Sequence, residues 1–306
     1  MASQRDVKNR IGSVKNIQKI TRAMEMVAAA RLRRAEQRIE VLRPYADALR
    51  RMTRQAALDA GSAEVARLPL LGERERIGAI GLLLVTGDRG LAGGFNSQVI
   101  RAGVRAGGEI AEQGRRPVWF ATGRRGVSSL TFRGRELSGA YTGFADKPSY
   151  GDARAIAHEL IDAYTDGTVD RVEIVYNAYV SPLTQTVTRE TLLPLSRATI
   201  VAEEQRDGAG EDDGTRKAGP KALVEYEPEA EKILRQLVPS YVETSIYRAL
   251  VESAAGFFGA QMTAMRNASE NAGDIITDLT LEMNRARQAE ITQEIMEVVA
   301  GAEGLS

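Results

Sequence analysis

The sequence predicts an α/β protein in which the two long terminal helices form an antiparallel coiled coil, with a central Rossmann-like α/β domain between them in the chain. Three observations carry this prediction. From Tyr241 to Ala300 there is no proline, and Met265, Ala268, Ala272, Ile275, Leu279, Met283 and Ala286 recur in steps of three and four, the spacing that keeps one seam against a partner helix. The first fifty residues carry a matching seam of opposite charge: residues 1–54 hold 14 Lys+Arg against 5 Asp+Glu (+9), and residues 222–300 hold 6 against 13 (−7). Between these ends, apolar runs of strand length alternate with helical patterns.

Taken in order, residues 3 to about 57 read as the first helix. Its seam is Val14, Ile17, Thr21, Met24, Ala28, Leu32, Ala35, Ile39, Leu42, Ala46 and Leu49, with one slip where two steps of four meet at Ala28. Such a slip predicts local unwinding of the supercoil there. Pro44 lies inside the helix and predicts a bend near Glu40 to Arg43. A composition shift at Gly61 and Pro69 marks the boundary of the central domain.

Ile77 to Val85 reads as a buried strand feeding a glycine-rich turn, Thr86 to Asn96, with a helix from about Ser97. Pro117 to Thr122 is a second strand and Gly126 to Phe132 a short helix; Gly151, Asp152 and Ala153 open another helix that ends near Asp166. Val169 to Val180 and Gln185 to Leu193 are the last two strands, joined by a Ser181-Pro182 turn that makes the final strand antiparallel. Ala202 to Lys221 contains four Gly and ten charged residues, with alanine as its only apolar type, and reads as a flexible surface loop. Pro228 stands near the first turn of the second long helix and Pro239 predicts a bend in it. The expected organisation is therefore 1–60 as the N-terminal shaft helix, 70–200 as the α/β domain, 202–221 as the loop and 222–306 as the C-terminal shaft helix.

With 306 residues the chain is long enough for a sizeable core, and its formal net charge is zero, so no global bias announces a nucleic-acid or membrane partner. The absence of Cys excludes a disulfide framework, a thiolate metal site and a cysteine nucleophile. No apolar signal core follows Met1 and no run is long enough to span a bilayer, which predicts a chain without a transmembrane segment.

Glycines at 87, 90, 93 and 94 lie where α/β folds hold phosphates, but they spell neither G-x-G-x-x-G nor a P-loop, and a tight structural turn is the expectation. His158, the single histidine, has no nucleophile or ligand partner at useful spacing, so a structural role is expected. No catalytic residue, cofactor-binding residue or metal ligand is predicted. Lys8, Arg10, Lys15, Lys19, Arg22, Arg31, Arg33, Arg34 and Arg38 fit pairing with the acidic second helix or with acidic loops of a partner; without interleaved aromatics they are a poor single-strand grip. Ile291, Ile295, Met296, Val298, Val299 and Ala300 spread apolar character around more of the helix than a two-helix seam uses, so this end is expected to sit inside another protein. Two other readings fit parts of the pattern: a coiled-coil RNA-binding protein and a nucleotide-using α/β enzyme.

Three separated motifs then carry a family resemblance. Arg10 to Ala30 (RIGSVKNIQKITRAMEMVAAA), Asp88 to Asn96 (DRGLAGGFN) and Asn284 to Ile295 (NRARQAEITQEI) closely resemble the γ subunit of F-type ATP synthase, in the family's order and across nearly the whole chain. The resemblance implies a non-catalytic rotor whose terminal helices form the shaft inside three α and three β subunits. It places the α/β domain at the foot beside the ε subunit and the ring of c subunits, peripheral to the cytoplasmic face of the cell membrane. By position in the motifs it implies that Met24, Arg287, Gln288 and Thr292 contact β catch loops. It further implies that Ile295, Met296, Val298, Val299 and Ala300 turn in a hydrophobic sleeve. Related chloroplast chains carry a redox cysteine pair that this sequence lacks, and the segment 202–221 looks like an insertion.

Overall fold

The computed structural model describes residues 4–59, 68–72, 74, 76–195 and 230–303. The expected loop at 202–221 and Pro228 lie outside these described residues. The elements run α1 (Gln4–Asp59), β1 (Ala79–Val85), α2 (Phe95–Glu112), β2 (Arg116–Thr122), α3 (Arg124–Phe132), β3 (Leu137–Tyr141), α4 (Tyr150–Thr165), β4 (Arg171–Tyr179), β5 (Gln185–Leu193) and α5 (Ala230–Glu303). The chain divides into two compact units, Met1–Ala30 with Gln261–Ser306, and Arg31–Ala260.

Both long helices run without interruption, 56 residues for α1 with Pro44 inside it and 74 for α5 with Pro239 inside it. At 1.5 Å per residue these are about 84 and 111 Å. Burial along α1 corrects the predicted seam. Val7, Ile11, Thr21, Ala28, Leu32, Ala35, Ile39, Leu49, Thr53 and Ala56 are buried, while Ile17 is 53% exposed. Gln18 and Glu25, both half-buried, take the inward positions on either side of Thr21, so the stripe 11, 14, 18, 21, 25, 28, 32 alternates threes and fours with no slip at Ala28. Hydropathy favours the apolar Ile17 for this position, but the helix turns its polar neighbour Gln18 inward. In α5 the same choice between adjacent isoleucines falls on Ile276, which is half-buried, rather than Ile275, which is exposed.

In the first unit the two helical segments run antiparallel: Gln18 Nε2 donates to the Ser269 carbonyl at 3.2 Å, and seven residues further on Glu25 pairs with the earlier Arg266 at 2.9 Å. Polar groups thus sit in an otherwise apolar seam. Such inclusions cost stability relative to leucine and fix register in return.

In the second unit the sheet order is β3-β2-β1-β4-β5, with β5 antiparallel to β4 and the other pairs parallel. Every residue of β1 is buried, as a central parallel strand covered on both faces requires. One face packs Leu83, Phe120, Ile174 and Tyr176 against Ile156 and Leu160 of α4 and Val242, Ile246 and Leu250 of α5. The other packs Ile80, Leu82, Leu84 and Trp119 against Ala106 and Ile110 of α2 and Leu130 of α3. A smaller cluster joins Leu49 and Ala56 of α1 to Leu234, Val238 and Tyr241 of α5.

Strand β3 is absent from the sequence-based expectation; its five residues, LSGAY, have only Gly139 fully buried and lack the β-branched run that announces a strand. Ser149 and Asp152 cap α4 reciprocally, which explains why the helix opens just ahead of Gly151. Asp170 fastens the start of β1, accepting from the Gly78 and Ala79 N–H groups at 2.8 and 2.9 Å and pairing with Arg74 at 2.9 Å. Burial alone would raise its carboxyl; the two N–H donors and the guanidinium outweigh that and hold it below the ordinary value.

Candidate functional site

In open α/β sheets the ligand crevice lies beyond the carboxyl ends of the strands, where the strand order reverses. Here that point is between β1 and β4, and the glycine-rich turn that leaves β1 stands over it. The crevice is filled by this chain's own Phe257. A Cβ added to Gly87 would lie 3.0 Å from the Phe257 ring, so glycine is what lets helix α5 come this close. The ring stands edge-on to Phe95 and to Phe258, with centroids 5.7 Å apart in both pairs. On the same helix, a Cβ at Gly259 would be 2.7 Å from the Pro182 carbonyl, which brings α5 against the β4–β5 turn.

The turn's own polar groups are spent internally. Gly87 N–H donates to Asn96 Oδ1 at 2.8 Å, and Asn96 Nδ2 donates to the Arg89 carbonyl at 2.9 Å. The Asp88 carboxylate accepts from the backbone N–H groups of Arg124, Gly143 and Ala145 at 3.0 to 3.1 Å, tying the turn to the start of α3 and to the loop after β3. A motif whose glycines suggested a phosphate cradle is therefore a socket for an aromatic ring, locked by Asp88 and Asn96.

Around this socket both long helices are joined to the domain by charged and polar pairs. Asp146 Oδ2 lies 3.2 Å from Arg31 of α1 and 3.2 Å from Arg89 of the turn. The Arg31 guanidinium also stands 5.7 Å from the centre of the Phe258 ring. The Tyr179 hydroxyl donates to Glu36 of α1. Glu243 of α5 accepts from the Tyr150 hydroxyl at 2.7 Å and lies 3.2 Å from His158 Nε2, so the single histidine is a structural partner of a buried carboxylate. Burial, with Glu243 as neighbour, pushes the Tyr150 phenol up to about 12. Glu252 of α5 sits among Arg248, Glu190 and the Tyr179 N–H at 3.4 Å; burial dominates these and raises its carboxyl. Sequence reasoning missed Phe257, Arg31 and Asp146 as a set, since the contacts bridge distant positions and no spacing announces them. Among the described residues no group of three or more His, Cys, Asp or Glu side chains is placed to hold a metal ion.

Of the residues predicted to meet partners, Met24 is half-buried in the first unit, and Arg287, Gln288 and Thr292 are exposed. Gln288 and Thr292 stand one turn apart, the Thr292 hydroxyl donating to the Gln288 carbonyl at 2.8 Å. From Arg287 to Val299 every side chain is exposed, including Ile295, Met296 (65%), Val298 (72%) and Val299. Ala300 lies in α5, its side chain outside the described set. The helix thus outruns its seam and carries apolar side chains into solvent. No helix of the described residues is long and apolar enough to cross a membrane.

The chain matches the family model described as ATP synthase over residues 3–305. It is 42% identical over 306 residues to the ATP synthase gamma chain of Rubrobacter xylanophilus, covering 100% of this chain and 99% of that one. To the ATP synthase gamma chain of Desulforamulus reducens it is 41% identical over 305 residues, covering 100% of both. Among solved structures it resembles a chain of the Tetrahymena thermophila mitochondrial ATP synthase central stalk and c-ring, at 25% identity and TM-score 0.59, over 82% of this chain and 99% of that one. A chain of the Euglena gracilis mitochondrial ATP synthase OSCP/F1/c-ring structure, in rotational state 3, shares the fold at TM-score 0.65 and 16% identity, over 99% and 94%.

Proposed function

We propose, since this chain belongs to the ATP synthase gamma chain family, that it is the central-stalk rotor of an F-type ATP synthase, coupling proton-driven rotation of a membrane c-ring to ATP synthesis and hydrolysis at surrounding β subunits. The observation that carries the reading beyond family membership is the solvated end of α5. Thirteen consecutive exposed residues, 287–299, continue a helix that has left its partner, and their apolar side chains need a sheath from another protein.

In this reading the two long helices are the shaft and the α/β domain is the foot, beside the ε subunit and the c-ring. The subunit is peripheral, held at the cytoplasmic face of the cell membrane through the complex. It has no catalytic site of its own; the chemistry belongs to three β subunits that alternate with three α subunits around it. Turning an asymmetric shaft changes which β is open, and it does so only by as much as its contacts differ between open and closed states. Met24, Arg287, Gln288 and Thr292 supply those contacts to β catch loops. Ile295, Met296, Val298, Val299 and Ala300 form the bearing, where apolar side chains slide without directional hydrogen bonds to break at each step.

Reconstitution tests this. The purified chain is mixed with α and β subunits from the same source, the product is sized, and ATP hydrolysis is measured with and without it. One copy joining three α and three β, with hydrolysis dependent on it, is the expected result. A folded chain that stays free and leaves hydrolysis unchanged refutes the rotor reading.

A further inference from the structure

We propose that Asp146 is a positioning residue of the rotor: its carboxylate keys helix α1 to the glycine-rich turn, so that the α/β domain turns with the helices and does not slip around them. The proposal rests on the rotor reading.

The connectivity creates the need. The chain joins α1 to β1 only through residues 60–78, and β5 to α5 only through residues 194–229. The registry between helices and sheet is held by side-chain contacts, among them Leu68, Leu71 and Leu195 packed with Leu49 of α1 and Leu234 of α5. Much of the packing of α5 on the sheet is apolar, through Val242, Ile246, Ala249 and Leu250. That apolar burial is close-packed, but its attraction is non-directional. Directional resistance comes from charged and hydrogen-bonded pairs.

Asp146 is placed to supply it on the glycine-rich-turn side, as Glu36, Glu243 and Glu190 do elsewhere around the sheet. The loop that carries it is held at two points by Asp88, through the Gly143 and Ala145 N–H groups. Its Oδ2 is shared at 3.2 Å by Arg89, which belongs to the same turn as Asp88, and by Arg31, which belongs to α1. Arg31 in turn lies over Phe258 of α5, next to the ring seated at Gly87. One carboxylate therefore closes a circuit of four parts: turn, loop, α1 and α5. The carboxylate is a quarter exposed, 24%, while Arg31 and Arg89 are 41% and 65% exposed, so the two pairs gain mainly from sharing one fixed acceptor.

The test uses the complete synthase in sealed vesicles, measuring ATP hydrolysis and proton pumping in the same preparation, for Asp146→Ala, Asp146→Asn and Asp146→Glu. Hydrolysis by the unloaded complex should stay within about twofold of the parent. The maximal proton gradient should fall at least threefold in the Ala and Asn variants, and Glu should restore more than half of it. Because the chain contains no Cys, Arg31→Cys with Asp146→Cys can be bridged by a short bis-maleimide. Bridging should return pumping to the unbridged double variant. A merely structural role predicts a lower melting temperature and less assembled complex, with an unchanged ratio of protons pumped to ATP hydrolysed in what assembles; that result overturns the proposal. Parent complex that pumps while all three variants pump equally refutes the key alone and leaves the rotor standing. Parent complex whose hydrolysis does not depend on this chain refutes the rotor reading, and the key with it.

Discussion

The socket over β1 makes a double-substitution prediction whose sign changes with background. Phe257 is 4% exposed, and truncating a buried phenylalanine to alanine costs about 3–5 kcal/mol, edge-to-face partners included. Gly87→Ala attacks the same contact from the other side. Gly87 does not adopt a left-handed backbone, so alanine brings no φ penalty. Its Cβ would meet the Phe257 ring at 3.0 Å and Asn96 Oδ1 at 3.3 Å. Overpacking of this kind costs about 1–3 kcal/mol, offset by about 0.4–1 kcal/mol from stiffening the unfolded chain. Gly87→Ala should therefore destabilise the parent by roughly 0.5–2 kcal/mol, and be neutral or slightly stabilising once Phe257 is alanine, giving a coupling of about 1–2 kcal/mol. Urea unfolding of the full chain, followed by far-UV circular dichroism, measures all four corners of the cycle. If Gly87→Ala costs the same in both backgrounds to within about 0.5 kcal/mol, the glycine is not there to admit the ring.

Three further expectations use other parts of the molecule. Arg287→Ala with Gln288→Ala should leave the melting temperature and assembly unchanged, because both side chains are exposed, and should lower coupled turnover; normal turnover removes them from the torque contacts. The Asp170 carboxyl is held below its ordinary value, so its contribution to stability is fully present above about pH 4 and is lost as the pH falls through the depressed value. The stability difference between the parent and Asp170→Asn should accordingly be largest at pH 7 and shrink in acid, and a constant difference contradicts the assignment. Glu252 is raised, so its ionisation weakens the fold as pH climbs above about 4; Glu252→Gln should raise the melting temperature at pH 7 and do less at pH 4, and a pH-independent effect argues against burial as the cause.

The helices and the central strands were legible because each carries its period over many residues. Gln185 to Leu193 was bounded to the residue, since a turn with proline precedes nine residues of strand composition. Strand β3 was not, because its place at the sheet edge is set by neighbours: a Cβ at Gly139 would meet the Tyr141 hydroxyl at 2.5 Å and the Phe120 ring at 2.8 Å, and nothing local to LSGAY reports that crowding. The inward position of α1 falls on Gln18 and not on Ile17 for a related reason. Hydropathy ranks isoleucine over glutamine, yet Gln18 faces Ser269, a contact across 251 positions. The spacing of glycines in the turn argues against a phosphate site, but the turn's occupant, Phe257, comes from the far side of the domain's sequence, in α5.

The unbroken three–four alternation of α1 also sets a grammar for length. Removing a single residue from the middle of the stripe rotates everything beyond it by about 100° around the helix axis and turns buried positions outward. Blocks of three or four leave a local over- or underwinding, and only seven restores the face. Where Gln18 meets Ser269 and Glu25 meets Arg266, a heptad deleted from one helix also has to be matched in the other. Past Ala286 the helix faces nothing of its own among the described residues and obeys no such rule. Lineages of this chain should accordingly lengthen or shorten their paired shaft in matched sevens, and vary the end of α5 one residue at a time.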